Sequence, residues 1–302
     1  MSSNAPRFIT PPTEEQERFP YRPVWRSLFI ETTILTTITL VAFIFGARLT
    51  SLVGRFGPYI GLGLAIVPLL LWFLFSWFAE RQISQPRKHL VTVVFITMLV
   101  ANSIALPLIN QLFRVDQWLP LAPAIDRILG YTLTVGITQE FIKYLIIRYT
   151  VWPNHFRIRL DGIAYGIASG IGYATLINLQ FIISNSTSPI DVVVFRVIAN
   201  YALHISTGII IGYGLSEVYF SNPTPIFQAL ILIVAAIVTG IAIPIHAGLV
   251  NASLSITSIS APRPLFGLGF SLGLLLIVSI LTSGLIRNAD RLEREAKSGD
   301  EE

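Results

Sequence analysis

The chain has 302 residues, 53% of them hydrophobic and 13% charged, and a mean hydropathy of +0.68. That balance excludes an ordinary water-soluble domain and marks an all-α polytopic membrane protein. The net charge of +4 does not point to nucleic acid, because the basic residues are scattered at segment ends and form no patch; with no cysteine, disulfides, thiol nucleophiles and cysteine metal sites are excluded, so any metal would need His and carboxylate ligands.

Residues 1–26, rich in Pro, Arg and Glu and without apolar periodicity, predict a mobile cytoplasmic tail that is too long a polar leader for a secretory signal. The first apolar run, Ser27 to Gly46, is long enough to cross a roughly 30 Å hydrocarbon core and has no small-residue cleavage pattern, so it reads as an uncleaved anchor. Further runs of membrane length follow at Tyr59–Ala79, Leu90–Phe113, Tyr131–Val151, Gly162–Ile183, Val192–Tyr219, Ile226–Val250 and Leu265–Ile286. Eight helices are therefore expected, forming one membrane domain over residues 27–286. The charged segment 287–302 is expected to continue the last helix for a turn or two and then fray in the cytoplasm.

Orientation follows from Lys and Arg in the short connections. With a cytoplasmic N-terminus, the inner segments hold fourteen basic residues, including Arg81, Arg87, Lys88, Arg148, Arg157 and Arg159; the outer segments hold only Arg48, Arg55, Arg114, Arg127 and Arg263. Both termini are thus expected to be cytoplasmic. Lys143 and Arg196 are left inside the spans and need partners at depth.

Strongly polar residues gather on four consecutive helices after residue 130. The fourth helix supplies Gln139, Glu140 and Lys143, and the fifth supplies Asn178 and Gln180. The sixth places Arg196, Asn200 and His204 at i, i+4 and i+8 on one face, and the seventh brings His246, with Asn251 beyond it. The first three helices bury little beyond Thr, Ser, Glu31 and Asn102, which makes the first half scaffold and the second half the site. Gly162, Gly166 and Gly170 form a small-residue ridge, and Gly208 with Gly212 a matching notch, so close helix approach is expected there. Pro244 predicts a kink beside His246.

Glu140, His204 and His246 match in number and type the three protein ligands of a catalytic zinc. Without metal, a carboxylate could activate water while imidazoles and an amide stabilise an oxyanion. Simpler readings stand beside these: Glu140 and Lys143, three apart on one helix face, form an internal ion pair, and each histidine satisfies one interhelical hydrogen bond.

The ordered motifs QEFIK, DGIAYGIASGIGYATLIN, a helical Arg followed by HISTG, and HAGLVN resemble the PrsW-type intramembrane proteases, relatives of the CAAX-prenyl endopeptidase and bacteriocin-processing superfamily. The resemblance covers residues 130–251 as a protease-like core. It is most specific at Asp161, Gly162, Tyr165, Gly166, Gly170, Gly172, Tyr173 and Ala174. In that family the fourth-helix motif reads Glu-Glu-x-x-Lys, with the first Glu thought to activate water, and the fifth-helix motif ends in Glu-Asn. Here those positions hold Gln139, Glu140 and Lys143, then Ile177 and Asn178. Gln139 is the degenerate position, since an amide cannot take a proton from water as a carboxylate does. His204, His246 and Asn251 match the remaining polar positions, with Lys143, Asn178, Arg196 and Asn200 in support.

The resemblance therefore implies a multi-pass protein of a prokaryotic plasma membrane, in contact with membrane lipids and with a membrane-protein substrate or partner subunit. The substitutions of Gln139 and Ile177 lead to the expectation of a catalytically impaired or silent relative acting as a binding or accessory subunit. The alternative is an active endopeptidase using Glu140, His204 and His246, with zinc as a cofactor in its metal-dependent form. A proton-coupled carrier with Glu140, Arg196 and His204 as relay is a third class, but it lacks the paired broken helices of a transporter.

Overall fold

Uniformly apolar segments of this length must satisfy their backbone polar groups internally, and within one segment only a helix does so. The structure, a computed structural model, describes residues 22–82, 86–221, 223–224, 226–250 and 263–299, and every regular element among them is helical. Helix α1 (Arg22–Val53) and α2 (Gly57–Glu80) are joined at Gly54, whose φ of +47° suits glycine. Helix α3 (Leu90–Val100) continues through π-helical turns at Ala101–Ala105 and Leu108–Leu112, and a short α4 (Val115–Trp118) follows. Helix α5 (Ala124–Gly130) passes through a π-helical turn, Tyr131–Gly136, into α6 (Ile137–Thr150). Four more long helices follow: α7 (Arg159–Ser184), α8 (Ile190–Phe220), α9 (Ile226–Val250) and α10 (Arg263–Gly299).

Seven of these segments are long and apolar enough to cross a membrane. The eighth expected crossing is the α5–α6 rod, broken by its π-helical turn and carrying Glu140 and Lys143. Helix formation begins at Arg22, inside the expected N-terminal tail, and α10 runs on to Gly299, about three turns past Arg287. Helix α9 stays helical through Pro244.

Helices α7 and α8 are the core: 72% and 83% of their spanning windows are buried, against 22–39% for the other five. They pack antiparallel along the glycine ridge, with Gly162 facing Gly212, Gly166 facing Gly208 and Gly170 facing the backbone of His204. A methyl added at Gly166 would lie 2.7 Å from the carbonyl carbon of Gly208, so the register depends on the missing side chains. Around this pair stand α1, α2, α3, α6, α9 and α10.

Buried ion pairs close one end of the bundle. Arg87 donates to Glu80 at 2.9 Å and to Asp161 at 2.6 Å, and Arg159 donates to Glu217 at 2.9 Å. Burial opposes the Arg87 charge, but Asp161 and Glu80 outweigh it and hold the guanidinium above its ordinary range. The Asp161 carboxylate also accepts the backbone N–H groups of Arg157 and Ile158, fixing the start of α7. The start of α1 and the end of α10 lie at this end too, since Ser27 shares a small cavity with Glu80, and Trp25 shares a cleft with Arg287.

Candidate functional site

The centre of the polar cluster is on α6. One helical turn brings Lys143 Nζ within 2.7 Å of the Glu140 carboxylate, with both side chains fully buried. The ammonium also donates to Thr207 Oγ1 of α8 at 2.6 Å, and Thr239 of α9 donates to the other Glu140 oxygen at 2.9 Å. Three helices are thus tied by one ion pair and two hydroxyls.

Tyr173 of α7 forms the floor. Its ring centroid lies 4.7 Å from that of His204 and 5.6 Å from Lys143 Nζ, and its hydroxyl lies beside Gln139 and Glu140. His204 Nδ1 is buried with no hydrogen-bond partner among the described residues, the Tyr173 hydroxyl and Gln139 Oε1 meet each other only loosely, and Glu140 Oε2 has the Lys143 ion pair but no well-aligned hydrogen bond. His246 is near enough to act electrostatically on His204, but its Nε2 is bonded to Ser271 Oγ of α10 at 2.9 Å and its ring lies edge-on to Phe270.

The structure thus brings Gln139, Glu140, Lys143 and His204 together around Tyr173, with His246 at the margin. Asn200, one turn before His204 on α8, donates to Asn178 at 2.7 Å, and Arg196, a further turn away, stacks over Phe181 at 4.1 Å. These three support the α7–α8 seam but do not reach the Glu140 centre. Ile177, on the same stretch of α7, is half-buried. Asn251 lies outside the described residues.

In the sequence Tyr173 stood out only as a position of the family motif, Thr207, Thr239 and Ser271 were not singled out, and Glu31 was underrated. Glu31 is only 1% exposed, accepts from Ser27 at 2.6 Å and meets the Tyr201 hydroxyl of α8 at 3.4 Å, so the first helix also reaches the polar interior. Its signal was a carboxylate inside an otherwise apolar run.

As arranged, the side chains do not fit the three-ligand zinc set. Both Glu140 oxygens are engaged, one by a cation; His246 is turned to Ser271; and among the described residues no three His, Cys, Asp or Glu side chains converge to hold a metal. The donors present serve ion pairing and hydroxyl bonding.

Fold and site define a polytopic helical membrane protein with a buried, charge-compensated polar centre shared by α6, α7, α8 and α9. The family model described as PrsW family intramembrane metalloprotease matches residues 85–282, and the chain belongs to that family. It is 28% identical over 161 residues to Protease PrsW of Clostridioides difficile strain 630, covering 53% of this chain and 66% of that protein. It is 32% identical over 90 residues to Protease PrsW of Bacillus subtilis strain 168, covering 30% and 40%. The alignments therefore span less than two thirds of these relatives' lengths. No solved structure matches the chain. With seven apolar helices among the described residues and bacterial relatives, it is a multi-pass protein of a bacterial membrane.

Proposed function

We propose that this chain is a PrsW-family membrane protein whose polar centre does not hydrolyse peptide bonds, and that it serves as a binding or accessory subunit for another membrane protein. The observation that carries this reading is the double engagement of Glu140, by Lys143 at 2.7 Å and Thr239 at 2.9 Å. A general base must lie within hydrogen-bond reach of the proton it takes, and here Lys143 and Thr239 compete with a water for the two carboxylate oxygens. At the neighbouring position Gln139 presents an amide, and Ile177 offers no acid.

One observation favours a second reading, an active endopeptidase. Buried polar atoms of Gln139, Tyr173 and His204, on side chains gathered at Tyr173, lack good hydrogen bonds, and buried polar atoms of this kind are commonly met by water. A water held there would be close to Glu140 as base, with His204 and His246 as oxyanion donors.

The two readings separate on a membrane-anchored peptide reporter in proteoliposomes. The accessory reading expects no turnover by the wild type and measurable turnover after Gln139→Glu combined with Ile177→Glu. Cleavage by the wild type, lost in the charge-neutral Glu140→Gln with Lys143→Met variant at an equal folded fraction, would overturn it in favour of the endopeptidase.

A further inference from the structure

Helices α1 and α10 both pack on α8 but leave a cleft of about 800 Å³ between them, within the size range of ligand pockets. Its composition changes along its length. Trp25 and Arg287 stand at one end, Ser283 and Ser279 follow, and Leu275 and Leu272 line the deep end, about 22 Å from Arg287 along α10. Arg287 is the first residue beyond the apolar run Leu265–Ile286, which places its guanidinium at headgroup depth.

The polar groups of the cleft divide into satisfied and unsatisfied sets. The hydroxyls of Thr32, Thr33, Thr36 and Thr37 donate to carbonyls four residues earlier on α1 and need no ligand. The Trp25 indole N–H is buried without an acceptor, and Ser279, Ser283 and Arg287 have no partner among the described residues. Exposed Arg26 lies beside Trp25 on α1. Donors and cations are thus concentrated at headgroup depth, and the leucines lie deeper.

We infer that this cleft is a binding site for an anionic glycerophospholipid. The phosphate meets Arg287 beside the Trp25 ring, the ester oxygens meet Ser283 and Ser279, and an acyl chain lies along Leu275 and Leu272. The order of cation, hydroxyl donors and apolar wall matches the order of phosphate, ester and hydrocarbon in a lipid, and a guanidinium is well suited to phosphate. A transmembrane helix from another protein would fill the apolar part but would leave the Arg287 cation without a reason. The site is independent of the Glu140 centre, and α1 lies outside the residues matched by the family model.

Trp25 reports occupancy directly. The full chain is reconstituted in vesicles of unlabelled phosphatidylcholine with increasing fractions of dibrominated phosphatidylglycerol or dibrominated phosphatidylcholine, and the fluorescence of a Trp25→Phe variant is subtracted. The expected result is half-quenching at an about five-fold lower mole fraction of the anionic lipid, the preference one interfacial Arg confers. Arg287→Gln removes the preference and Arg287→Lys keeps part of it. Gly284→Leu, at a position where an added Cβ meets nothing within 4 Å, fills the cleft and reduces quenching by both lipids. Equal quenching by the two lipids in the wild type, or a preference that survives Arg287→Gln, overturns the proposal. So does absence of Trp25 quenching by either lipid, which would mean that protein occupies the cleft.

Discussion

The Lys143 ammonium and the Glu140 carboxylate, 2.7 Å apart and both fully buried, neutralise each other one helical turn apart at the centre of the bundle. Taking two charges out of water is expensive, and their mutual attraction offsets that cost only when the remaining donors and acceptors are satisfied. Thr207 and Thr239 each supply one such bond, from α8 and α9. The pair is therefore a joint between three helices, and its removal has consequences that depend on which half is removed.

Lys143→Met leaves a buried carboxylate with one hydroxyl donor, and Glu140→Gln leaves a buried ammonium with one hydroxyl acceptor. Each single change is expected to destabilise by about 3–5 kcal/mol, while Glu140→Gln with Lys143→Met recovers most of the loss. Thermal unfolding in detergent micelles of the four proteins completes the cycle. A double variant as unstable as the two singles added together would show that the pair is not coupled.

The glycine ridge gives a sharper contrast. At Gly166 an added methyl meets the backbone of Gly208, whereas at Gly273 it meets nothing within 4 Å. Gly166→Ala is expected to destabilise by about 1–3 kcal/mol through overpacking, and Gly273→Ala to stabilise by about 0.5–1 kcal/mol because both sites are mid-helix. Unfolding midpoints moving in the same direction for both variants would contradict the Gly166–Gly208 register of α7 and α8.

These examples show which features the residues disclosed on their own. Apolar run length located the spans, because in hydrocarbon it is the length of the apolar stretch that decides where a helix can cross; Ile226–Val250 falls where α9 is found. The i, i+4, i+8 spacing put Arg196, Asn200 and His204 on one face, and Gly162, Gly166 and Gly170 marked the side on which α8 approaches. Spacing within one helix does not say which neighbour a side chain meets. Glu140 could have reached His204, Arg196 or Lys143, and the helix register gives it Lys143 and Thr239 instead. Arg159 counted in the sequence only as a topology signal in an inner connection. It is 1% exposed and paired with Glu217, because the charge bias in a connection is the same whether or not its residues find buried partners.

At the ion-paired end of the bundle, outside the spans, the His155 and His89 rings lie 4.8 Å apart. Burial, then the neighbouring His89, Lys88 and Arg157, holds His155 below its ordinary value of 6.5. The folded protein therefore binds fewer protons at this site than the unfolded chain just below pH 6.5. Its contribution to stability is complete above that pH and is lost as the pH falls toward the lowered value, levelling off beneath it. Unfolding temperatures from pH 7.5 down to pH 5 should fall more steeply for the wild type than for His155→Asn. Parallel curves for the two proteins would remove His155 as the cause.

Metal removal addresses the chemistry of the polar centre. Glu140 is held by Lys143 and Thr239, and His246 by Ser271, so zinc could bind Glu140, His204 and His246 only if an ion pair and two hydroxyl bonds were given up. Protein purified without chelator is therefore expected to carry well under one zinc per chain, and its unfolding temperature to be unchanged after treatment with a strong chelator. The opposite outcome is equally specific: one zinc per chain, lost on chelation with a fall in unfolding temperature and absent from His204→Ala. It would mean that the three ligands gather at the expense of the Lys143 pair, and that Glu140 serves a metal in place of a cationic side chain.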